Sequence, residues 1–154
     1  MKTKMRVIDY VFIALAVLLF LFMVIYGCVK LPSLPDELPS HFNFAGEVDG
    51  WSGKMGAISA PMVIGFLMLV IMGPILFFPK VWNNTQGVPE YKLPRVIRST
   101  RTGMSFMLFL TEAFFAYTLV RMVHGAPLHG FVSPLYMALL FLDIVFILVQ
   151  TFRK

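Results

Sequence analysis

Four long runs of apolar residues, separated by polar connections, set the pattern of this 154-residue chain. The runs cover about residues 10–29, 57–78, 104–123 and 132–152. A helix of about 20 residues, rising about 1.5 Å per residue, crosses a hydrocarbon core of about 30 Å. The pattern therefore predicts an all-α integral membrane protein. Its single domain, residues 1–154, is expected to be an antiparallel bundle of four transmembrane helices.

The first run, Tyr10–Val29, follows basic residues in the way that a secretory signal peptide does. A signal peptide has an apolar region of about 7–15 residues that ends in a small-residue cleavage site. The run here is longer and has no Ala-x-Ala ending, so we expect a retained helix. In the second run, Ala57, Pro61 and Gly65 recur every fourth residue. This spacing predicts a small-residue stripe packed against a neighbouring helix.

The composition agrees with lipid as the solvent. Hydrophobic residues make up 58% of the chain and charged residues 14%, against about 45–50% and about 25% in soluble domains. The net charge of +5 would suggest a nucleic-acid partner in a polar protein. Here the positions of the basic residues explain it through topology, and no nucleic acid is expected to bind.

The basic residues lie mostly in the connections of one side. With the N-terminus inside, ten are cytoplasmic: Lys2, Lys4, Arg6, Lys80, Lys92, Arg95, Arg98, Arg101, Arg153 and Lys154. Three are outside: Lys30, Lys54 and Arg121. The positive-inside rule therefore predicts cytoplasmic termini and a cytoplasmic loop at 79–103. It places the connection 30–56 on the outer side.

The outer connection 30–56 breaks the apolar pattern completely. Prolines at 32, 35 and 39 forbid a continuous helix, and glycines at 46, 50 and 53 permit turns. We therefore expect an ordered but irregular segment. It concentrates polar and aromatic side chains: His41, Phe42, Asn43, Glu47, Asp49, Trp51 and Lys54. Asp49 and Lys54 are a candidate ion pair.

The segment Leu34–Lys54 carries the string LP-x-x-LP-x-HFN-x-x-G-x-x-DGW-x-x-K. This string resembles the signature of the small bacterial membrane domain of unknown function numbered 1648, which also forms part of the SdpI-type immunity protein family. The matching positions are Leu34, Pro35, Leu38, Pro39, His41, Phe42, Asn43, Gly46, Asp49, Trp51 and Lys54. The resemblance implies a multi-pass protein of the bacterial cytoplasmic membrane, of a kind that protects its cell from a secreted membrane-active peptide.

Two interpretations of this outer motif stay open. Phe42 and Trp51 are the residue types that anchor interfaces, and prolines lower the entropy cost of holding a loop. The motif is then a surface that binds an extracytoplasmic peptide or protein. The candidate binding residues are His41, Phe42, Asn43, Gly46, Asp49, Trp51 and Lys54. Alternatively, the motif is a cap that packs over the helix ends and satisfies itself.

All three histidines, His41, His124 and His129, fall on the predicted outer side. Imidazole is a competent zinc ligand when several ligands converge. His124 and His129 are five residues apart, which matches no known zinc-ligand spacing, and no HExxH motif is present. Interfacial hydrogen bonding is the simpler interpretation, and neither a metal nor another cofactor is expected.

Glu112 and Asp143 are the acidic residues well within predicted spans, and an intramembrane carboxyl is by default a functional hypothesis. Counted from the cytoplasmic ends, both lie about 12–14 Å deep. If they face each other they would share a proton and form a proton or ion site. The alternative is a pair of neutral acids that bond to neighbouring helix groups.

The cytoplasmic loop ends in a stretch that alternates basic and apolar residues. We expect it to lie on the inner leaflet, where each basic residue gains about 1 kcal/mol from anionic lipid. The residues concerned are Lys92, Arg95, Arg98 and Arg101.

The leading hypothesis is a membrane protein that acts by binding, of the immunity type. The alternative is an oligomeric proton-linked transporter or channel that uses Glu112 and Asp143, or an accessory subunit of a membrane complex. An enzyme is not expected, because no nucleophile–base pair, phosphate loop or metal motif is visible.

Overall fold

The computed structural model describes residues 3–153 as four long helices and one β-hairpin. In chain order the elements are α1 (Val7–Lys30), β1 (Glu37–Phe42), β2 (Val48–Gly53), α2 (Lys54–Ile75), α3 (Leu93–Val123) and α4 (Val132–Phe152). Lys2 and Lys154, two of the basic residues on which the predicted orientation depends, lie outside the described residues.

All four helices are long and apolar enough to cross a membrane, which confirms the prediction of four helices of spanning length and composition. Helix α3 begins at Leu93, whereas the sequence predicted a span from about residue 104. The polar residues between these two points continue the helix, and a proline in its first turn fits there because that N–H needs no helical partner. The connection before α3 is correspondingly shorter and contains two 3-10 turns, Pro79–Val81 and Asn83–Thr85.

Helix α3 is the centre of the bundle and packs against α1, α2 and α4, whereas α4 packs chiefly against α3. The predicted small-residue stripe on α2 is confirmed, since Ala57, Pro61 and Gly65 are all buried. Met23, Ala57, Ala116 and Leu119 belong to one cluster of the core. A second cluster contains Ala16, Leu76 and Leu108.

The bundle has two different ends, which we name by their contents. The hairpin end carries β1, β2 and the connection between α3 and α4. The arginine end carries the start of α1, the end of α2, the start of α3 and the end of α4. Its arginines are Arg6, Arg95, Arg98, Arg101 and Arg153.

The prediction of an all-α chain with an irregular outer segment is wrong at the hairpin end. β1 and β2 form an antiparallel two-stranded sheet there. The exposed and less exposed side chains alternate along β2, as they do in a half-covered strand. The prolines prevent a continuous helix in this segment, as expected, but they allow a 3-10 turn at Leu31–Ser33 and a short hairpin whose register shifts near Pro39.

The arginine end is held by contacts between distant parts of the chain. Arg101 is buried, and its side chain donates to the carbonyl oxygens of Leu76 (3.0 Å) and Thr3 (2.8 Å). Leu76 follows the last residue of α2, so Arg101 satisfies one of the carbonyls that a helix end leaves without a partner. The guanidinium also lies over the ring of Trp82, 5.8 Å from its centre.

Candidate functional site

The turn of the hairpin is fastened by Asn43 and Glu47. The Asn43 backbone N–H donates to the Glu47 carbonyl (2.9 Å), and the Glu47 N–H donates to the Asn43 side-chain oxygen (3.0 Å). The Asn43 amide also donates to the Glu47 carboxylate at 2.9 Å. Asn43, predicted as a binding residue, is therefore engaged in holding the turn.

Gly46 attaches this turn to the connection between α3 and α4. Its φ of +85° is a backbone conformation that other residues rarely adopt. Its carbonyl accepts the Leu128 N–H at 2.8 Å, and a Cβ at Gly46 would lie 2.8 Å from the Leu128 carbonyl oxygen. Gly46, also predicted as a binding residue, thus has a structural reason to be glycine.

Lys54 fastens the base of the hairpin. Its ammonium group donates to the Leu34 carbonyl oxygen (3.2 Å) and pairs with the Asp36 carboxylate (3.1 Å). Its backbone N–H donates to the Asp36 carbonyl at 2.8 Å. The predicted pair of Lys54 with Asp49 is wrong, because Asp36 precedes β1 beside Lys54, whereas Asp49 lies opposite His41 on the paired strands.

The motif residues that remain form one exposed face of the hairpin. His41, Asp49 and Trp51 point outward, and we call these three residues the exposed face. The His41 Nδ1 and Asp49 Oδ1 atoms are 2.6 Å apart, yet the two side chains are 74% and 43% exposed. Trp51 is 61% exposed. An exposed tryptophan and an exposed histidine–aspartate hydrogen bond are groups that a cap packed over the helix ends does not require.

A cavity of about 310 Å³ lies between this hairpin and the bundle. His41 and Phe42 line it on the hairpin side, and Pro61 and Ile64 line it on α2. Phe114, Phe115, Thr118 and Met122 line it on α3. We call this the hairpin cavity; together with the exposed face it forms the hairpin site, and His41 belongs to both parts.

The other two histidines lie in separate contacts. His124 Nε2 is 3.3 Å from the Tyr26 hydroxyl, and His129 Nδ1 is 2.6 Å from the Tyr117 hydroxyl. These bonds tie the connection between α3 and α4 to the helices beneath it. Within residues 3–153, no group of three or more potential ligands among His, Cys, Asp and Glu is placed to hold a metal ion.

Glu112 and Asp143 do not meet. A Cβ at Gly65 of α2 would lie 2.7 Å from Glu112 Oε2, and a Cβ at Gly103 would lie 3.0 Å from Asp143 Oδ1. Gly103 and Glu112 are nine residues apart in α3, which is about 13 Å along its axis and half a turn around it. The hypothesis of a shared proton is therefore wrong. The antiparallel packing brings Asp143 beside the arginine-end half of α3, away from Glu112.

Each carboxyl is nevertheless buried. Glu112 is 0% exposed and Asp143 is 8% exposed. Both Glu112 oxygens and Asp143 Oδ2 have no hydrogen-bond partner among the described residues. They form two separate polar points inside an apolar bundle.

The predicted lipid-binding stripe is wrong for Arg101, which is 4% exposed and bonded to backbone carbonyls. Arg98 is exposed, and Arg95 and Lys92 are partly exposed. Helical spacing alone does not distinguish Arg101 from Arg95 and Arg98, because its partners Thr3 and Leu76 are distant in the chain. Sequence reasoning also missed Leu128, the buried residue that receives the hairpin turn.

Fold and site together define a class: a four-helix chain of membrane-spanning composition in which a β-hairpin closes one end of the bundle. Residues 18–65 match the sequence model of the domain of unknown function DUF1648. The matched segment runs from the middle of α1 through the whole hairpin to the middle of α2. The resemblance to this domain is confirmed for that segment. No curated protein and no solved structure matches the chain.

Proposed function

We propose that this chain is an immunity-type protein of the bacterial cytoplasmic membrane, related to the SdpI-type family. In this proposal its hairpin site binds a secreted, cationic, membrane-active peptide and so protects the cell. The observation that carries the proposal is that the motif residues fall into two groups with different contacts. Hydrogen bonds of Asn43, Gly46 and Lys54 hold the hairpin in place. The side chains of His41 and Asp49 on the exposed face bond to each other and not to the bundle.

Charge supports a cationic partner. The chain as a whole carries +5, but the connection 30–56 contains four acidic residues and two basic ones. The acidic residues are Asp36, Glu37, Glu47 and Asp49. Asp36 pairs with Lys54, and Asp49 faces His41, so Glu37 and Glu47 make no ion pair within residues 3–153. With Arg121 in the last turn of α3 also counted, the hairpin end carries a surplus of one acidic residue. An acidic surplus attracts a positively charged peptide and speeds its binding.

The hairpin cavity supports an amphipathic partner. Its walls are mostly apolar, and Phe42, Phe114 and Phe115 supply aromatic surface. Cationic membrane-active peptides carry Lys and Arg on one face and Leu, Phe or Trp on the other. The exposed face would bind the polar side of such a peptide, and the cavity would accept an apolar side chain.

The proposal places the hairpin end outside the cell, as the positive-inside rule predicts. Thiol labelling tests this orientation in a Cys28→Ala background, because Cys28 is the one cysteine of the chain. Ala45→Cys lies at the hairpin turn and Gln86→Cys lies at the arginine end, and both positions are exposed. An impermeant maleimide added to intact cells should label the first and spare the second; the reverse pattern overturns the orientation.

A survival assay tests the function. A sensitive bacterium expressing the chain is challenged with a panel of Lys- and Leu-rich amphipathic peptides. We expect protection against at least one peptide, and its loss in Trp51→Ala and in Asp49→Ala. Ser59→Ala is the matched control, because Ser59 is exposed near the same end and its hydroxyl donates only to a carbonyl of its own helix.

Membrane levels of all variants are measured by immunoblotting, so that lost protein is not counted as lost binding. Protection that survives in both face variants at equal protein level would refute the hairpin site. Loss of protection in Ser59→Ala would also count against it, since any change at that end would then suffice.

Transport is the second candidate function, and the unpartnered oxygens of Glu112 favour it. A fully buried carboxyl without a partner is costly unless it is neutral or binds a cation. Four helices without an inverted repeat would need an oligomer to form a complete carrier. Because Glu112 and Asp143 lie apart, they would form two separate proton- or cation-binding sites rather than one shared site.

Proteoliposomes test this alternative. A carrier or channel of this kind predicts a pH-dependent flux that falls in Glu112→Gln and in Asp143→Asn. Ser105→Ala serves as a control, because its buried hydroxyl only donates to the Arg101 carbonyl of the same helix. Flux at the wild-type rate in both carboxyl variants would refute a transport role for these residues.

A further inference from the structure

Three arginines converge on a cavity at the arginine end. Arg6 from the start of α1 and Arg95 and Arg98 from α3 line a space of about 310 Å³. Ser99 of α3 and Phe146 and Gln150 of α4 complete the lining. We call this space the arginine cavity. Its lining residues come from three helices and from three separate parts of the sequence.

These three guanidinium groups have no carboxylate partner among the described residues. Arg6 donates to the Arg98 carbonyl (3.0 Å) and to the Thr102 hydroxyl (2.5 Å). Arg98 donates to the Pro94 carbonyl (3.0 Å), and Arg95 donates to the Arg153 carbonyl (2.5 Å). The nearby Asp9 is already occupied, because it accepts bonds from the Arg6 backbone N–H and the Thr102 hydroxyl.

Many donors therefore stay available. Each guanidinium carries five N–H groups, and the three side chains make four hydrogen bonds among residues 3–153. The Nε of Arg95 is buried and has no partner there. Asp9 is the one carboxylate bonded beside them among residues 3–153, so three positive charges face a single negative charge and repel one another. Their arrangement is explained if an anion completes the cavity.

The side of the cavity formed by α4 indicates what the anion is attached to. Gln150, Phe146 and Leu142 follow one another at intervals of four residues and lie on one face of α4. Gln150 is polar and stands at the arginines, while Phe146 is 42% exposed and Leu142 is 59% exposed. This face changes from polar to apolar toward the middle of the bundle, as a lipid does from headgroup to chain.

We propose that the arginine cavity binds the phosphate group of an anionic phospholipid, whose acyl chain lies along Phe146 and Leu142. Arginine matches phosphate through paired N–H donors. The site differs from a general attraction of basic residues to an anionic surface, because it has walls and excludes Arg101. It depends neither on the hairpin site nor on the transport alternative.

Native mass spectrometry of the detergent-solubilised full chain tests this site. Phosphatidylglycerol is titrated in one arm, phosphatidylcholine in a second and inorganic phosphate in a third. We expect phosphatidylglycerol to bind one lipid per chain at least tenfold more tightly than phosphatidylcholine. Millimolar inorganic phosphate should not displace it. Equal affinity for the two lipids, or displacement by phosphate, would overturn the lipid assignment.

Variants separate the cavity from general electrostatics. Arg98→Gln should weaken phosphatidylglycerol binding at least tenfold, and Arg98→Lys should restore part of it because the charge returns without the paired donors. Lys80→Gln is the matched control, since Lys80 is exposed at the same end and does not line the arginine cavity. Equal losses in Arg98→Gln and Lys80→Gln would overturn the proposal.

Folding is followed in a Trp51→Phe background, so that the fluorescence comes from Trp82, which is buried beside Arg101. Arg98 is exposed and bonds only within its own helix, so Arg98→Gln should leave this signal unchanged. If Trp82 changes, Gln150→Leu provides the second variant, because it removes a polar wall without touching an arginine. Unchanged lipid binding in that variant would then refute the cavity.

Discussion

The two ends of the bundle are built in opposite ways. At the hairpin end, the bonds within the motif join residues close in sequence: Asn43 with Glu47, His41 with Asp49, and Lys54 with Leu34 and Asp36. At the arginine end, Arg6 reaches Thr102 and Arg101 reaches Thr3 and Leu76. The hairpin is thus a largely local structure, whereas the arginine end exists only when the whole bundle is assembled.

This difference predicts different consequences of mutation. Residues at the arginine end should control the stability of the entire bundle. Residues that fasten the hairpin should control a smaller unit, and residues of the exposed face should affect binding with little change in stability. The two tryptophans make the comparison measurable, because Trp82 reports on the arginine end and Trp51 on the hairpin end.

The largest effect is expected for Arg101→Met. This change removes two charged hydrogen bonds to backbone carbonyls and the contact over Trp82. We expect a loss of about 4 kcal/mol in the free energy of unfolding. Unfolding by SDS titration, followed by tryptophan fluorescence, measures it. Arg98→Met is the matched control and should cost less than about 1 kcal/mol, because Arg98 is exposed; equal costs would contradict the role of Arg101.

A smaller effect is expected for Gly46→Ala. The change forces a side chain into a φ of +85° and against the Leu128 carbonyl oxygen. We expect a cost of about 3 kcal/mol, seen as detachment of the hairpin. Limited proteolysis near the turn measures it.

Gly87→Ala is the matched control for this change, since Gly87 has a φ of +71° but nothing within 4 Å of an added Cβ. Its cost should be about 1 kcal/mol. Cleavage near the hairpin turn is compared between Gly46→Ala and wild type, and cleavage near residue 87 between Gly87→Ala and wild type. If neither variant is cleaved faster than wild type, the docking of Gly46 on Leu128 contributes nothing to the stability of the hairpin.

Lys54→Met should have an intermediate effect confined to the hairpin. It keeps the length of the side chain and removes the bonds to Leu34 and Asp36. Because Asp36 is almost fully exposed, most of the loss comes from the carbonyl of Leu34, and we expect about 1 kcal/mol. Hydrogen exchange in β1 and β2 should speed up while exchange in α3 stays unchanged. Faster exchange in α3 would show that the two ends are not independent.

The smallest effect on stability is expected for His41→Ala and Asp49→Ala. The pair they form is exposed, and such pairs contribute about 0–1 kcal/mol. Each single change should therefore shift the unfolding free energy by less than about 1 kcal/mol, and the double change should add little. A loss above about 2 kcal/mol would make the pair a structural element and remove the reason to regard it as a binding surface.

The same contrast explains how much the sequence could predict. Four helices followed from run length, and the stripe of Ala57, Pro61 and Gly65 followed from helical spacing, because both are local patterns. The hairpin motif can be recognised from its residues, but its prolines favour an irregular segment over the regular strands that form. The partners that Asp49 and Lys54 find across the hairpin, His41 and Asp36, depend on strand register, which short polar segments specify weakly.

The arginine end could not be predicted in the same way. Arg95, Arg98 and Arg101 lie at helical spacing, but Arg101 turns inward because α2 ends beside it. Likewise, the prediction that Glu112 and Asp143 lie at equal depth counts residues from the cytoplasmic ends of two apolar runs, and it assumes that each helix begins or ends there. Helix α3 begins eleven residues earlier than that, at Leu93, and its packing on α4 separates the two carboxyls.

The most direct test of the central claim uses Trp51 as a reporter on the exposed face. A Trp82→Phe variant in zwitterionic nanodiscs leaves Trp51 as the single tryptophan. A tryptophan-free Lys/Leu amphipathic peptide that gives protection in the survival assay is then titrated. The account predicts a saturable blue shift of Trp51 emission that needs at least tenfold more peptide when Asp49→Ala is added. An absent shift, or the same titration curve in the Asp49→Ala protein, would contradict it.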